Sequence, residues 1–328
     1  MKKRQEILTA ILATVGLILL ILDGKSALNG AIEGTELCTK VLIPTLLPFC
    51  FLSNLLSASL IGKRLAFFRP LGRWCRIPEG SEYILLTGFL GGYPLGAQAI
   101  SQACQDGSLS RNDGRRMLAF CNNCGPAFLF GVCAVLFQNP SIPWLLLIIH
   151  VLSAFVVARI IPGHPSPFIP STDTKVSPMQ AFWRSLRAMA GICGWVILFR
   201  VLLSFLDRWF LWYFPNEIQI TISGFLELSN GCIQLQSMEN HPLSMVFCSG
   251  FLAFGGLCVA MQTYSSTPQI DHSLYFPGKL AQALLSMTIS SLLWYPNYAF
   301  LFGIGFAVVA IFLRNQEKRC RNSKKLVV

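Results

Sequence analysis

Long apolar runs separated by short polar segments recur from about residue 7 to residue 313. A run of about 20 apolar residues is the length that an α-helix needs to cross the hydrocarbon core of a bilayer. The runs predict helical spans at 7–22, 41–60, 117–137, 142–161, 188–206, 243–262, 279–294 and 296–313. Transmembrane β-barrels show alternating segments of about ten residues instead. We therefore expect an all-α, polytopic membrane protein with about eight spans.

Two further apolar segments, 83–100 and 219–236, are interrupted by glycine, proline and polar residues. Proline lacks a backbone N–H and disfavours helical geometry in the residue before it, so the Gly-Tyr-Pro step at 92–94 breaks a helix. Broken backbone at membrane depth is tolerated only where protein or water surrounds it. Both segments are therefore predicted to be re-entrant hairpins.

Composition agrees with a membrane protein. Of the 328 residues, 53% are hydrophobic and 12% are charged, about half the charged fraction of a soluble domain. These values exclude a soluble enzyme, a disordered chain and a secreted disulfide scaffold. The net charge of +11 is explained by basic cytoplasmic segments, so we expect no nucleic-acid partner. The twelve cysteines lie mostly in apolar runs, where they act as small hydrophobic residues.

The basic residues predict which segments face the cytoplasm. If both interrupted segments return to the side from which they enter, 22 of the 26 lysines and arginines lie in or at the edge of cytoplasmic segments. Both termini and residues 101–116 are then cytoplasmic in a multi-pass protein of the cell membrane. Residues 1–22 combine a basic head with an apolar run, which favours a retained anchor and leaves a cleaved signal peptide as the alternative.

The same topology predicts an internal repeat. Each half contains a span, a hairpin and a span with small-residue breaks, and the second half is inverted relative to the first. The predicted divisions are an anchor and external segment at 1–40, a first repeat at 41–161, a cytoplasmic linker at 162–187, a second repeat at 188–313 and a basic cytoplasmic tail at 314–328. Inverted repeats with interrupted segments in matching positions indicate a substrate site between them.

The first hairpin and the span after it supply candidate substrate contacts, which are Gly92, Tyr93, Pro94, Gln98, Asn122 and Asn123. A broken hairpin tip frees backbone N–H and C=O groups toward a cavity; the alternative is a kinked packing helix. The two asparagine amides offer donors and acceptors suited to an aromatic acid or a nucleobase. Hydrogen bonding between helices is the alternative for them.

The second hairpin contains one acidic residue, Glu227, followed by Ser229 and Asn230. Arg200 is the basic residue that lies well inside a predicted span. Ionisable side chains inside a membrane are costly and indicate function. Arg200 and Glu227 are expected either to pair, or to bind an anionic substrate and a coupling proton respectively. Snorkelling of Arg200 toward Asp207 is the alternative.

The sequence offers no pattern typical of catalysis or metal binding. Cys121 and Cys124 form one Cys-x-x-Cys pair without a second pair or a nearby histidine. The four histidines do not share helical ligand spacing. We therefore expect no enzyme activity, no metal site and no cofactor.

Four segments carry a resemblance to a known family: GGYPLGAQAI at 91–100, LAFCNNCGPAFLFG at 118–131, GFLELSNG at 224–231 and FLAFGGLCVAMQ at 251–262. They resemble the nucleoside-recognition (Gate) domain and, more closely, the YlbJ-type sporulation integral membrane proteins. The resemblance covers roughly residues 40–310. Cys124 departs from it, because a small hydroxyl-bearing or similar residue is expected there.

The resemblance implies a membrane transporter of a small organic solute. For the sporulation members, it implies movement of dipicolinate out of the mother cell toward the forespore. The alternatives are a transporter of nucleoside-like solutes and a non-transporting scaffold in spore-envelope assembly. The expected partners are a small anionic or nucleobase-like solute and the lipid bilayer.

Overall fold

The computed structural model describes residues 2–61, 63, 65–137, 139–169, 177–238 and 242–325. This part of the chain is helical and contains no β-strand, which confirms the predicted all-α class. Its α-helices are α1 (Lys2–Leu22), α2 (Gly24–Leu37), α3 (Ile43–Leu60), α4 (Arg69–Trp74), α5 (Glu82–Leu86), α6 (Leu95–Gln105), α7 (Arg111–Cys121), α8 (Pro126–Phe128), α9 (Ala134–Leu136), α10 (Ser141–Ile160), α11 (Pro178–Trp209), α12 (Asn216–Leu226), α13 (Leu228–Gln234), α14 (Pro242–Phe254), α15 (Gly256–Ser266), α16 (Tyr275–Trp294) and α17 (Ala299–Lys325). The π-helical segments Cys38–Leu42, Thr87–Gly91 and Leu129–Cys133 join some of them.

Five helical stretches among the described residues are long and apolar enough to cross a bilayer. They are Gly24–Leu60, Ser141–Ile160, Pro178–Trp209, Leu243–Ser266 and Pro296–Gln316. Each overlaps one of the predicted spans. Glu6–Leu22 is a shorter apolar helix, and the predicted span 279–294 is helical within α16. The total of about eight spans stays a prediction.

The predicted span 117–137 is not one continuous helix, and its interruption lies at the small-residue break predicted within it. α7 ends at Cys121, and the backbone of Asn122 is extended, with φ −98° and ψ 95°. The next helix begins at Pro126. Because proline disfavours helical geometry in the residue before it, Gly125 is extended and does not continue α7. The second half is interrupted similarly at Gly255, whose φ of +83° lies in the left-handed region that glycine adopts readily.

Both interrupted segments form helical hairpins. Residues seven apart in a straight helix are separated by about 10 Å, yet a Cβ atom built on Gly231 would lie 2.1 Å from Cα of Gly224. In the first hairpin, a Cβ atom on Gly96 would lie 2.9 Å from Cα of Gly88. The paired arms approach at backbone distance because these positions lack side chains. Whether the hairpins are re-entrant in a bilayer stays a prediction.

The residues that follow α1 form a helix that packs along α11. A Cβ atom on Gly30 would lie 2.8 Å from the carbonyl oxygen of Arg200, and one on Gly34 would lie 2.9 Å from Cα of Ile197. Small residues four apart let two helices pack at backbone distance. From residue 24 onward, the predicted anchor and external segment is therefore a packed helix.

The helical stretch Gly24–Leu60, which leads into the first predicted repeat, runs antiparallel to α11, which leads into the second. At one end, the Ser204 hydroxyl donates a hydrogen bond to the carbonyl oxygen of Ser26 at 2.8 Å. At the other end, the Asn54 amide donates to the Ser185 hydroxyl at 2.8 Å. In each half, a hairpin and then an interrupted helix follow in the same order. This opposed direction is compatible with an inverted repeat, which stays a prediction.

α11 begins at Pro178, so the end of the predicted linker 162–187 is helical. The Ser177 side chain accepts a hydrogen bond from the Gln180 N–H, and the Gln180 side chain accepts one from the Ser177 N–H. This capping box, with proline in the first helical position, specifies the start of the helix. Residues 170–176 of the linker and 326–328 of the predicted tail lie outside the described residues.

The helices expose apolar side chains and bury polar ones. Ile21 on α1 is 81% exposed and Phe300 on α17 is 78% exposed. In contrast, Asn122, Asn123 and Gln282 are fully buried. This arrangement fits helices that face lipid and supports membrane localisation.

Candidate functional site

The tips of the two hairpins face each other across one small cavity, which we call the central cavity. Gly92 and Tyr93 from the first tip line it together with Glu227 and Ser229 from the second tip. Its volume is about 40 Å³, which is room for about one water molecule. The structure thus brings together four of the predicted site residues at a cavity that is too small for an organic solute.

Each hairpin tip also packs against the interrupted helix that follows it in sequence. A Cβ atom on Gly92 would lie 2.7 Å from the backbone nitrogen of Gly125. In the second half, a Cβ atom on Gly256 would lie 3.1 Å from the carbonyl oxygen of Leu226. In both halves, the hairpin tip therefore contacts the interruption in the following helix. The contact is possible because a glycine without a side chain lies at each of these points.

A larger cavity, which we call the vestibule, opens beside the first hairpin. Its volume is about 410 Å³, and its wall includes Gln98, Ser101, Gln102, Arg184 and Arg187. The lining residues that the structure describes include two arginines and no acidic residue. A positively charged, hydrogen-bonding wall of this kind favours an anion. Gln98 was predicted as a site residue, whereas the two arginines were not.

The first hairpin separates the vestibule from the central cavity. Leu95, at the start of α6, lines the vestibule, and Gly91, at the end of the preceding arm, lines the central cavity. A Cβ atom on Gly91 would lie 2.8 Å from Cδ1 of Leu95, so the two walls touch. Pro94, at the tip of this hairpin, is buried.

Asn122 lies outside the walls of both cavities and supports the broken backbone. Its Oδ1 accepts a hydrogen bond from the Ala97 N–H at 3.3 Å. Its Nδ2 donates to the Thr263 hydroxyl at 2.8 Å and lies 3.4 Å from the Tyr275 hydroxyl. The side chain therefore joins α6, α15 and α16 at the point where α7 ends.

Asn123 is the centre of a second buried network. Its Oδ1 accepts hydrogen bonds from Nζ of Lys279 and from Nε2 of Gln282, both at 3.0 Å. Lys279 also donates to Oε1 of Gln282 at 2.9 Å. His150 joins the network, because its carbonyl oxygen accepts a hydrogen bond from Nε2 of Gln282 at 3.3 Å and its Nε2 accepts the Cys124 N–H at 3.2 Å. Every side chain that hydrogen-bonds here is at most 2% exposed.

Lys279 was counted in the sequence as a cytoplasmic charge at the edge of a span, and the structure corrects this. Its side chain is 2% exposed, and the described ion pairs do not include it. It belongs to a buried polar stripe on one face of α16, formed by Tyr275, Lys279, Gln282, Ser286 and Ser290. The 3- and 4-residue spacing of the stripe was visible in the sequence and indicates an internal face.

The predicted Arg200–Glu227 pair is not the contact that the structure shows. The Arg200 guanidinium donates to Oε2 of Glu33 on α2 and to Oδ1 of Asn230. The Glu227 carboxylate instead caps α13, accepting the N–H groups of Ser229 at 3.0 Å and Asn230 at 2.7 Å. Sequence reasoning missed Glu33 because its segment was not expected to pack against α11.

A polar clamp outside the predicted spans holds the loop before α16. Arg115 donates to Oδ2 of Asp271 at 3.3 Å, and the Ser273 hydroxyl donates to the same oxygen at 2.7 Å. Burial by itself raises the pKa of Asp271, but the hydrogen bonds from Ser273 and the charge of Arg115 outweigh it and lower the pKa. The Arg115 side chain is therefore buried and paired with Asp271, whereas the sequence suggested an exposed charge in a cytoplasmic segment.

Three buried cysteines come together between the halves. The sulfur atoms of Cys133, Cys232 and Cys248 lie within 4.8 Å of one another. The expectation of no metal site rested on the Cys121–Cys124 pair, and sequence spacing gave no signal for this cluster because its members come from three separate elements. A group of three thiols is able to hold a soft metal ion.

Comparison with known proteins gives one informative relative. The chain is 26% identical to the sporulation integral membrane protein YlbJ of Bacillus subtilis (strain 168), and the match covers 84% of this chain and 79% of that protein. The similarity supports a YlbJ-type assignment. It confirms the YlbJ-type resemblance inferred from the hairpin and asparagine segments. No protein-family profile and no solved structure matches the chain, so the nucleoside-recognition (Gate) domain stays a prediction.

Proposed function

We propose that this YlbJ-type protein is a membrane transporter of a small organic anion, with dipicolinate during sporulation as the first candidate substrate. The name of its relative supports the sporulation setting. The observation that carries the proposal is the small cavity between two opposed hairpin tips, next to a larger vestibule with two arginines. Transporters with inverted repeats place their substrate sites at such broken helices.

In this proposal, the anion enters the vestibule and the first hairpin moves to admit it to the central cavity. The contact between Gly91 and Leu95 is the barrier that has to open. The second hairpin then provides the exit to the other side. The glycine contacts at both tips make two discrete packed arrangements physically reasonable, because packed interfaces switch between states rather than deform continuously.

The vestibule favours dipicolinate over a nucleoside on chemical grounds. Dipicolinate is a flat pyridine ring with two carboxylates, and guanidinium groups bind carboxylates in a planar fork. Arg184 and Arg187 lie three residues apart on α11, so their side chains project from the same face. The Gln98 amide is available to the ring nitrogen or to a carboxylate. A neutral nucleoside leaves the arginine charges uncompensated.

The test is solute flux in proteoliposomes that contain the full chain. We expect accumulation of labelled dipicolinate above protein-free liposomes and no comparable flux of uridine. The double variant Arg184→Gln, Arg187→Gln should lower dipicolinate flux at least tenfold, on the order of 1.4 kcal/mol in transition-state binding. Arg69→Gln is the control, because Arg69 is an exposed arginine paired with Glu79.

Two results would favour the other functions. A preference for uridine that is insensitive to the vestibule variants would indicate a nucleoside-like substrate. Absence of flux for both solutes, from protein that remains folded and inserted, would favour the spore-envelope scaffold.

A further inference from the structure

Three arginines converge on an open cavity that lies away from the vestibule and the hairpin tips. The cavity has a volume of about 520 Å³, and Arg76, Arg159 and Arg314 line it together with Ile160 and Ile311. The described ion pairs of the chain do not include any of the three arginines. The described lining residues therefore combine three positive charges with an apolar wall.

The backbone that carries Arg76 is held in place from inside the protein. Arg76 has a φ of +53°, in the left-handed region that non-glycine residues seldom adopt. The buried Arg116 guanidinium donates to the carbonyl oxygen of Cys75 at 2.9 Å and to that of Arg76. Arg116 thus fixes the turn from which Arg76 projects, so this part of the site is organised before any ligand binds.

The other two arginines come from the ends of apolar helices. Arg159 lies in the last turn of α10, and its guanidinium carbon is 5.7 Å from the ring centroid of Trp74. Trp74 is 54% exposed, and a half-exposed tryptophan beside a basic residue is typical of the membrane–water interface. Arg314 follows the apolar part of α17. All three arginines lie in or at the edge of segments predicted to be cytoplasmic.

An apolar track leads away from the arginines along α17. Exposed Leu301, Ile304, Val308 and Ile311 recur at 3- and 4-residue spacing, so they share one face of the helix. From residue 301 to Arg314 the track is about 20 Å long, which exceeds half the thickness of the hydrocarbon core. A soluble anion uses only the arginines, whereas a phospholipid uses the arginines and the track together.

We propose that this cavity binds the phosphate headgroup of an anionic phospholipid, with its acyl chains along the exposed face of α17. Arginine forms bidentate hydrogen bonds with phosphate oxygens. Each basic residue at an anionic membrane surface strengthens binding by about fivefold. The site is separate from the proposed transport pathway, so it stands whether or not the protein transports a solute.

The test measures lipid retention by the full chain in detergent micelles. The protein is mixed with equal amounts of dioleoylphosphatidylglycerol and dioleoylphosphatidylcholine, and bound lipids are counted by native mass spectrometry. We expect phosphatidylglycerol to be retained preferentially. The triple variant Arg76→Gln, Arg159→Gln, Arg314→Gln should lose at least tenfold of this retention, and the triple lysine variant should keep part of it. Arg69→Gln should behave like the unmodified chain.

A headgroup-only arm distinguishes a lipid from a soluble anion. Glycerol 3-phosphate and inorganic phosphate, at concentrations equal to the lipid, should leave phosphatidylglycerol bound. Displacement of the lipid by either anion would assign the arginines to a soluble ligand and overturn the proposal. Equal retention by the triple glutamine variant would also overturn it. If that variant does not fold, the three single glutamine variants, each expected to lose about fivefold, decide the question.

Discussion

Nζ of Lys279 lies 3.0 Å from Oδ1 of Asn123, deep in the bundle and directly behind the break between α7 and α8. This contact ties an ionisable side chain on α16 to the broken backbone that packs against the tip of the first hairpin. Among the described residues, the ammonium also donates a hydrogen bond to the Gln282 amide oxygen. A buried ammonium held by amides alone is costly, and an ionisable group buried in a membrane protein is a candidate for function.

We predict that Lys279→Met lowers solute flux at least tenfold without lowering stability. The change leaves the Gln282 amide oxygen without its donor, at a cost of about 1–3 kcal/mol, but it removes a desolvation penalty of several kcal/mol. The thermal midpoint in detergent should therefore be unchanged or raised. Lys40→Met is the control, because Lys40 is exposed and pairs with Glu36. Normal flux with a lowered midpoint would assign Lys279 a structural role.

We predict that Arg200 is coupled energetically to Glu33 more strongly than to Glu227. The measurement is a pair of double-mutant cycles with Arg200→Gln, Glu33→Gln and Glu227→Gln, read as the free energy of unfolding. Because the Glu33 side chain is 58% exposed, we expect a coupling energy below about 1 kcal/mol. Glu227→Gln keeps one oxygen acceptor for the N–H groups of α13 and loses the other, which should cost up to roughly 1 kcal/mol by itself. A larger coupling between Arg200 and Glu227 would restore the pair expected from the sequence.

We predict that Gly30→Ala destabilises the protein, whereas Gly194→Ala does not. The new methyl group at position 30 meets backbone atoms of α11 at 2.8–2.9 Å, and backbone gives way less easily than a side-chain end. Overpacking of this kind costs about 1–3 kcal/mol. At Gly194, also on a long apolar helix, nothing lies within 4 Å, so the alanine should stabilise by roughly 0.5–1 kcal/mol. Equal midpoints for the two variants would show that the α2–α11 contact is not tight.

The fold class and the two hairpins could be predicted from the sequence because apolar run length and helix-breaking residues act locally. The Gly-Tyr-Pro step breaks the helix whatever the surrounding tertiary structure. The paired asparagines before Gly125 and Pro126 also marked a real interruption, although a window of apolar residues suggested one span. These features depend only on residues that are adjacent in the sequence, so one sequence is enough to predict them.

The partners of the site residues could not be predicted, because they depend on which helices meet. Glu33 contacts Arg200 across 167 positions, and Lys279 contacts Asn123 across 156. Charge counting also treats every lysine at the edge of an apolar run alike, although Lys279 is buried and Lys40 is exposed. The polar stripe on α16 was the sequence signal that could have shown Lys279 to be buried. A lysine that shares a helix face with serines and a glutamine on an otherwise apolar helix is expected to face the protein interior.

The final prediction concerns the sides from which the two hairpins enter the membrane. Asp106 lies just beyond the end of the first hairpin, and Glu217 lies at the start of the second. Both are exposed. The vestibule brings Tyr83 and Gln105 of the first hairpin to the same end as Arg187, which fits the cytoplasmic side predicted from the basic residues. With Asp106→Cys and Glu217→Cys, a membrane-impermeant maleimide should label only the second variant in intact cells.

Permeabilised cells provide the matched control for this labelling, and both variants should react in them. Reaction of the unmodified chain is subtracted, because the described native cysteines are buried or half-buried. Intact-cell labelling of Asp106→Cys alone would reverse the predicted orientation while keeping the hairpins opposed. Labelling of both variants from the same side would contradict the opposed arrangement itself. The central cavity then could not be reached alternately from two sides, and the proposed transport mechanism would fail with it.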